Sequence, residues 1–217
     1  MTEDNARRRE IGLKRRERTR QKLLEAAARV VAEFGERNAT IDDFIQAAGV
    51  ARGTFYNYYA TRQDLLDDLW GSFGRNPFLE IHLACQKLED PAERITAEAR
   101  LVFQSATRNP AWGWLVYAMS ASGQTVNDDL LVYPRPDLVL GLRQGRFTFD
   151  ELSCASDLVV GTVRTALKAI LSEARPKDYA HGICVLLLRA LGIPNAEALE
   201  ISGRPLPTGL QMVRDTG

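Results

Sequence analysis

Between Thr40 and Leu66 the chain reads TIDDFIQAAGVARGTFYNYYATRQDLL, and this stretch limits the fold more than any other. Thr40 is placed to cap a short helix whose first turn carries Asp42 and Asp43, which favour the positive end of the helix dipole. Ile41, Phe44 and Ile45 fall at helical spacing on its inner face. Gly49 ends that helix in the left-handed conformation that glycine adopts cheaply. A third helix is expected over about 51–58, and Thr61 is placed to cap a fourth, RQDLLDDLW. Upstream, TRQKLLEAAARVVAEFG sets Leu23, Ala27, Val30, Val31 and Phe34 on one helical face, with Thr19 as its N-cap and Gly35 as its stop. Short helices with a glycine turn between the second and third describe a helix-turn-helix head.

The third helix crowds Phe55, Tyr56, Tyr58 and Tyr59 behind Arg52, Gly53 and Thr54. At 3.6 residues per turn, Phe55 and Tyr59 share a face with Val50 and close a small core. Arg52 and Tyr56 lie four apart on another face, flanked by Gly53 and Asn57, and Tyr58 also turns its hydroxyl outward. Outward Arg, Asn, Thr and Tyr suit a DNA groove, because hydroxyls and amides bond phosphates while Arg and Asn read base edges. Gly53, without a side chain, allows close approach to the sugar-phosphate wall. A surface helix with ordinary amphipathic tyrosines fits the same spacing.

Beyond Trp70 the pattern changes. GSFGRNP carries two glycines and a proline and predicts a kink or break near Gly74. Helices are then expected over about 78–89, 91–108, 110–122, 127–145, 149–174 and 177–192, with the tail from Ile193 mostly irregular. No alternating strand pattern and no internal repeat is present. The fold class is therefore all-α, with the domains expected as an arm over 1–18, a head over 19–69 and a larger helical body over 70–217.

The 28 basic and 28 acidic residues cancel, yet nine of the bases and two of the acids fall between Arg7 and Lys22. This local excess of seven positive charges is the footprint of an anionic partner or of a solvated tail. Residues 1–18 show no apolar period and read as a flexible arm. Cys85, Cys154 and Cys184 are scattered, which argues for a reducing compartment, inert packing thiols and no metal site. The N-terminus lacks the apolar segment of a signal peptide, and the longest apolar run, Ile183–Leu188, is too short to span a bilayer. A cytoplasmic protein without membrane contact is expected. The chain offers no Ser/His/Asp group, no HExxH, no phosphate-cradling glycine loop and no Glu-x-x-His pair, so no enzyme, cofactor or metal is expected.

With the turn, aromatics and capping residues in register, TIDDFIQAAGVARGTFYNYYATRQDLL resembles the signature of the tetracycline-repressor (TetR) family, and the stretch from Thr19 through FGERNAT is similar to the family's first helix and loop. The resemblance covers about residues 19–69. It implies a homodimeric transcriptional regulator, expected to be a repressor, whose head binds a palindromic operator in double-stranded DNA and whose body senses a small, largely apolar effector. It implies phosphate contacts from Thr40 and Thr54, and base or backbone contacts from Arg52, Gly53, Tyr56 and Asn57. Tyr58 falls where the family often carries histidine, and Arg62 replaces its usual phosphate-binding lysine. Ala39 and Ala51 stand where Thr and Ser are common. In this context Arg15, Arg16, Arg18 and Arg20 are expected to follow phosphates or enter a minor groove. A helical adaptor or ligand-binding protein without operator binding is the alternative.

For the body, the resemblance implies that the last two long helices form a four-helix bundle across the dimer. Val160, Gly161, Arg164, Leu167, Cys184, Leu187, Leu188 and Leu191 are the interface residues expected there; a single intramolecular core is the other option. Phe78, Phe103, Trp112, Trp114, Tyr117 and Met119 form an apolar set that fits either a ligand cavity or plain core, with His82 as its polar candidate.

Overall fold

The computed structural model describes residues 3–73, 78–121 and 134–208. It separates into two compact units, Met1–Arg75 and Asn76–Gly217, and every described element is a helix or a turn.

In the first unit, α1 (Glu3–Phe34) is followed by α2 (Ile41–Ala48), α3 (Arg52–Tyr56) and α4 (Arg62–Phe73). Leu23, Leu24, Ala27 and Val30 of α1 close on Phe44, Phe55, Leu65, Leu66 and Leu69, all buried. Thr40 and Asp43 form a reciprocal capping box at the start of α2, and Thr61 and Asp64 exchange the equivalent bonds before α4. Gly49 sits at φ 61°, and its N–H and that of Val50 return to carbonyls of α2. Arg29 closes the same helix end through Nη2 to the Ala47 carbonyl at 2.7 Å.

Three expectations for this unit are corrected. The basic segment is not an irregular arm, because α1 already begins at Glu3. Its exposed turns are held by pairs one turn apart, Glu10 with Lys14 at 2.7 Å and Glu17 with Gln21 at 2.8 Å. Thr19 accordingly lies inside the helix and donates its hydroxyl back to the Arg15 carbonyl instead of capping. Gly71 likewise does not interrupt α4, which continues to Phe73; Gly74 lies outside the described residues.

The second unit holds α5 (Leu79–Cys85), α6 (Pro91–Arg108), α7 (Pro110–Ala121), α8 (Pro134–Arg143), α9 (Leu152–Ser172), α10 (Tyr179–Ala190) and α11 (Asn195–Gly203). α6 is central and packs against each of the others. Asp90 caps it and Pro91 fills its first turn, where a missing N–H costs nothing. Arg146 reaches Asp90 through Nε and Nη2 at 3.1 and 2.7 Å and Glu197 through Nη1 at 2.8 Å, joining the α8–α9 loop to the starts of α6 and α11. Gly141 is required by close approach, since a Cβ there would fall 2.1 Å from a ring carbon of Phe147.

The expectation of an irregular tail is also corrected. Pro194 opens α11, whose Ala198 and Ile201 are fully buried against α6 and α10. Proline at a helix start is compatible with the fold and was a start signal, not a breaker.

Candidate functional site

In the head, the sequence delivers an exposed polar face on a fixed short helix. Phe55 is fully buried, and Tyr59 is 6% exposed, with its hydroxyl donating to Asp68 Oδ2 at 2.7 Å. These two anchors turn Arg52, Gly53, Tyr56 and Asn57 to solvent, with Tyr56 46% exposed and Thr54 half-buried. Nothing lies within 4 Å of where a Gly53 Cβ would sit, so that edge of α3 is open. Arg52 pairs with Asp42 at 2.8 Å, but both side chains are mostly exposed, and such a pair is easily exchanged for a stronger anion. Tyr58 is half-buried, with the Arg16 guanidinium 5.6 Å from its ring centre. Arg15, Arg16 and Arg18 are exposed on α1.

Three expected DNA contacts have their groups engaged within the head. Arg20 binds Asp68 through Nε at 2.9 Å and also meets Glu17 and Ser72. Arg62 donates Nε to the Ala39 carbonyl at 2.6 Å and Nη2 to the Glu36 carbonyl, bracing the α1–α2 loop. Thr40 uses its hydroxyl as both donor and acceptor toward Asp43. Burial alone would raise the Asp68 carboxyl, but hydrogen bonds from Arg20 and Tyr59 hold it below the usual range.

In the body, α6, α7 and α9, with Phe78 and Pro134, enclose a largely apolar cavity. About 80 Å³ of it is open to the centre of a water-sized sphere. Ile95, Val102, Val116, Val159, Val163 and Leu167 form most of its wall, and Glu98 and Arg164 are its ionisable members. Glu98 is 5% exposed and meets His82 Nδ1 at 2.8 Å. Burial raises the Glu98 carboxyl to about 7, against the opposing pull of that hydrogen bond. The Arg164 guanidinium lies 4.8 Å from the Tyr117 ring centre, with Nη2 3.4 Å from its hydroxyl. Its Nε is buried without a hydrogen-bond partner among the described residues.

The expected apolar set divides accordingly. Phe78 lines the cavity, His82 reaches it through Glu98, and Tyr117 through Arg164. Phe103, Trp112 and Trp114 are buried packing residues that do not line it. The Met119 side chain lies outside the described residues. Glu98 was missed, although its spacing from Ile95 and Val102 places it on the buried face of α6.

The residues expected at a subunit interface differ in their exposure within the single chain. Leu167, Cys184, Leu187, Leu188 and Leu191 are each 3% exposed or less and already fill the core of one chain. Val160 and Arg164 line the cavity, leaving only Gly161 exposed. The outward stripe instead carries Leu158, Gly161 and Thr165 on α9, and on α10 Leu186, 59% exposed.

Residues 23–69 match the family described as bacterial regulatory proteins of the tetR family, and residues 90–204 the tetracyclin repressor-like C-terminal domain. The chain belongs to the TetR family. RolR, solved in complex with resorcinol, is 31% identical with a TM-score of 0.54, over 90% of this chain and 98% of RolR. The transcriptional regulator BetI of Agrobacterium fabrum is 28% identical over 115 residues, and the repressor KstR2 of Mycobacterium tuberculosis 32% over 76. The chain spans 56% of BetI and 38% of KstR2 in these matches. The helix-turn-helix head of the family is followed along the chain by a helical body. No helix among the described residues is long and apolar enough to cross a membrane, and none of their acidic, His or Cys side chains group to hold a metal.

Proposed function

We propose that this TetR protein is a homodimeric repressor that binds a palindromic operator and is released when a small molecule enters the body cavity. The observation that carries the reading is the α3 face: Arg52, Gly53, Tyr56 and Asn57 are exposed, while Phe55 and Tyr59 fix the helix from behind. Such a face fits a major groove, with Arg52 and Asn57 as base readers and Tyr56 and Thr54 as phosphate contacts. Thr40, Arg20 and Arg62 then act by holding the head in shape.

The exposed basic turns of α1, with Arg15, Arg16 and Arg18, supply phosphate contacts as a helix. Leu158, Gly161, Thr165 and Leu186 form the dimer contact, small residues allowing α9 and α10 of two chains to approach closely. Resorcinol bound to RolR supports a ring-sized effector. Release follows as a population shift, in which the ligand favours a body conformation that holds the two heads off successive major grooves, about 34–36 Å apart.

Selection from random duplexes tests this reading. An enriched palindrome is expected; a pool that stays random, with only weak salt-sensitive binding, contradicts it.

A further inference from the structure

The polar inventory of the body cavity is narrow enough to name what it takes. At roughly 10–15 Å³ for each water-sized position, a space of about 80 Å³ holds about five to eight small atoms. That excludes a long acyl chain lying wholly inside and suits one ring. The walls are aliphatic and aromatic, so the ligand body is apolar. Two groups break that wall, Glu98 from α6 and Arg164 from α9.

Each asks for a different partner. The Arg164 Nε–H is a buried donor with no partner among the described residues, and such a donor gains when an acceptor oxygen arrives. Its guanidinium is already held by the Tyr117 ring and hydroxyl, so the direction of Nε is set before any ligand binds. Glu98 is fixed by His82 Nδ1 on Oε1. When Nδ1 carries the proton and donates, Glu98 is a carboxylate and presents only acceptor oxygens. A hydroxyl is the one small group that can accept from a donor such as the first and donate to an acceptor such as the second.

We propose that the cavity binds a neutral phenol-class ring whose hydroxyl donates to Glu98 and accepts from Arg164 Nε, with His82 as the positioning residue that keeps Glu98 an acceptor. This rests on the effector reading above and specifies its ligand chemistry. A carboxylate ligand fits less well, because its charge meets Glu98 on the opposite side of the balance. The groups facing Glu98 are His82 from α5, Arg94 from its own helix and Asp137 from α8; Arg164 from α9 shares its cavity. Asp137 favours the protonated acid, while His82 and Arg94 favour the carboxylate. Because the Glu98 carboxyl titrates at about 7, hydroxyl donation to it weakens as the pH falls below that value.

Calorimetric titration of the full chain with phenol, toluene and benzoate at pH 8 and pH 6 tests the assignment; phenol, like tyrosine with a pKa of about 10, stays neutral at both. Phenol is expected to bind at least tenfold more tightly than toluene or benzoate at pH 8, and to weaken at pH 6. Glu98→Gln should abolish that pH dependence, Arg164→Met should weaken phenol but not toluene, and His82→Ala should move the pH profile upward. Equal affinity for toluene, tighter benzoate, or no heat with any of the three overturns the proposal. If Glu98→Gln melts early, the pH profile of the unaltered chain still decides. Phenol binding without any change in duplex affinity would overturn the effector role while leaving the cavity assignment intact. An enriched operator with no phenol binding would do the reverse.

Discussion

Arg20 and Asp68 stand 48 residues apart in the chain and are joined by two hydrogen bonds, Nε to Oδ2 at 2.9 Å and Nη2 to Oδ1 at 2.5 Å. The pair ties α1 to α4, and the Tyr59 hydroxyl adds a third bond to the same carboxylate, so the back of α3 is fixed at the same point. Both partners are about a quarter to a third exposed, which places the worth of the cluster at the lower end for charged bonds.

Asp68→Asn should therefore cost about 1–2 kcal/mol at neutral pH. The Asp68 carboxyl titrates below its unfolded value of about 3.9. Its contribution is full above that value and is lost as the pH falls through the lower, folded one. Denaturant unfolding at pH 7 and near pH 3 should show the gap between wild type and variant closing on acidification. A gap that persists at the lower pH would mean that packing, not the ion pair, carries the effect.

Arg52→Ala should weaken binding to the selected duplex by about 1–3 kcal/mol and relax preference at one position of each half-site. The variant loses the exposed contact to Asp42, so the melting temperature should barely move. An equal loss on every duplex would make Arg52 a phosphate contact instead.

Removing residues 1–14 deletes Arg7, Arg8, Arg9 and Lys14 and shortens α1. If all four neutralise phosphates, the slope of log affinity against log salt becomes shallower by roughly 3–4. An unchanged slope would make this part of α1 a spacer without DNA contact.

Leu186→Arg and Leu187→Arg differ by one position and should fail in different ways. Leu186 is exposed, so its variant should fold and sediment as a monomer. Leu187 is 3% exposed within the body core, and a buried unpaired charge there should lower stability by several kcal/mol before any question of assembly arises. A folded dimer of Leu186→Arg would place the subunit contact elsewhere.

The contrast between those leucines also explains what was legible in the sequence. Thr40, Gly49, Phe55 and Thr61 announce the head because caps, left-handed turns and buried aromatics are local events with fixed residue preferences. In ICVLLL every residue is apolar, so no period marks which side faces its own core. The first turns of α1 gave no apolar signal because their support is charge pairing, not burial. Arg20 and Arg62 looked like DNA contacts because a basic residue beside a helix-turn-helix is not labelled by its partner. Asp68 and the Ala39 carbonyl, tens of residues distant, engage them only in the fold. Glu98 and Arg164 share that property, since a cavity is defined by helices that meet only in three dimensions.

Fluorescence anisotropy of the selected duplex, titrated with the full chain and read alongside the complex mass in sedimentation, tests the central claim most directly. The account predicts saturation at two chains per duplex, with affinity at least a thousandfold above that for a scrambled duplex of equal length at the same salt. Saturation at one chain, or equal affinity for both duplexes, would contradict it.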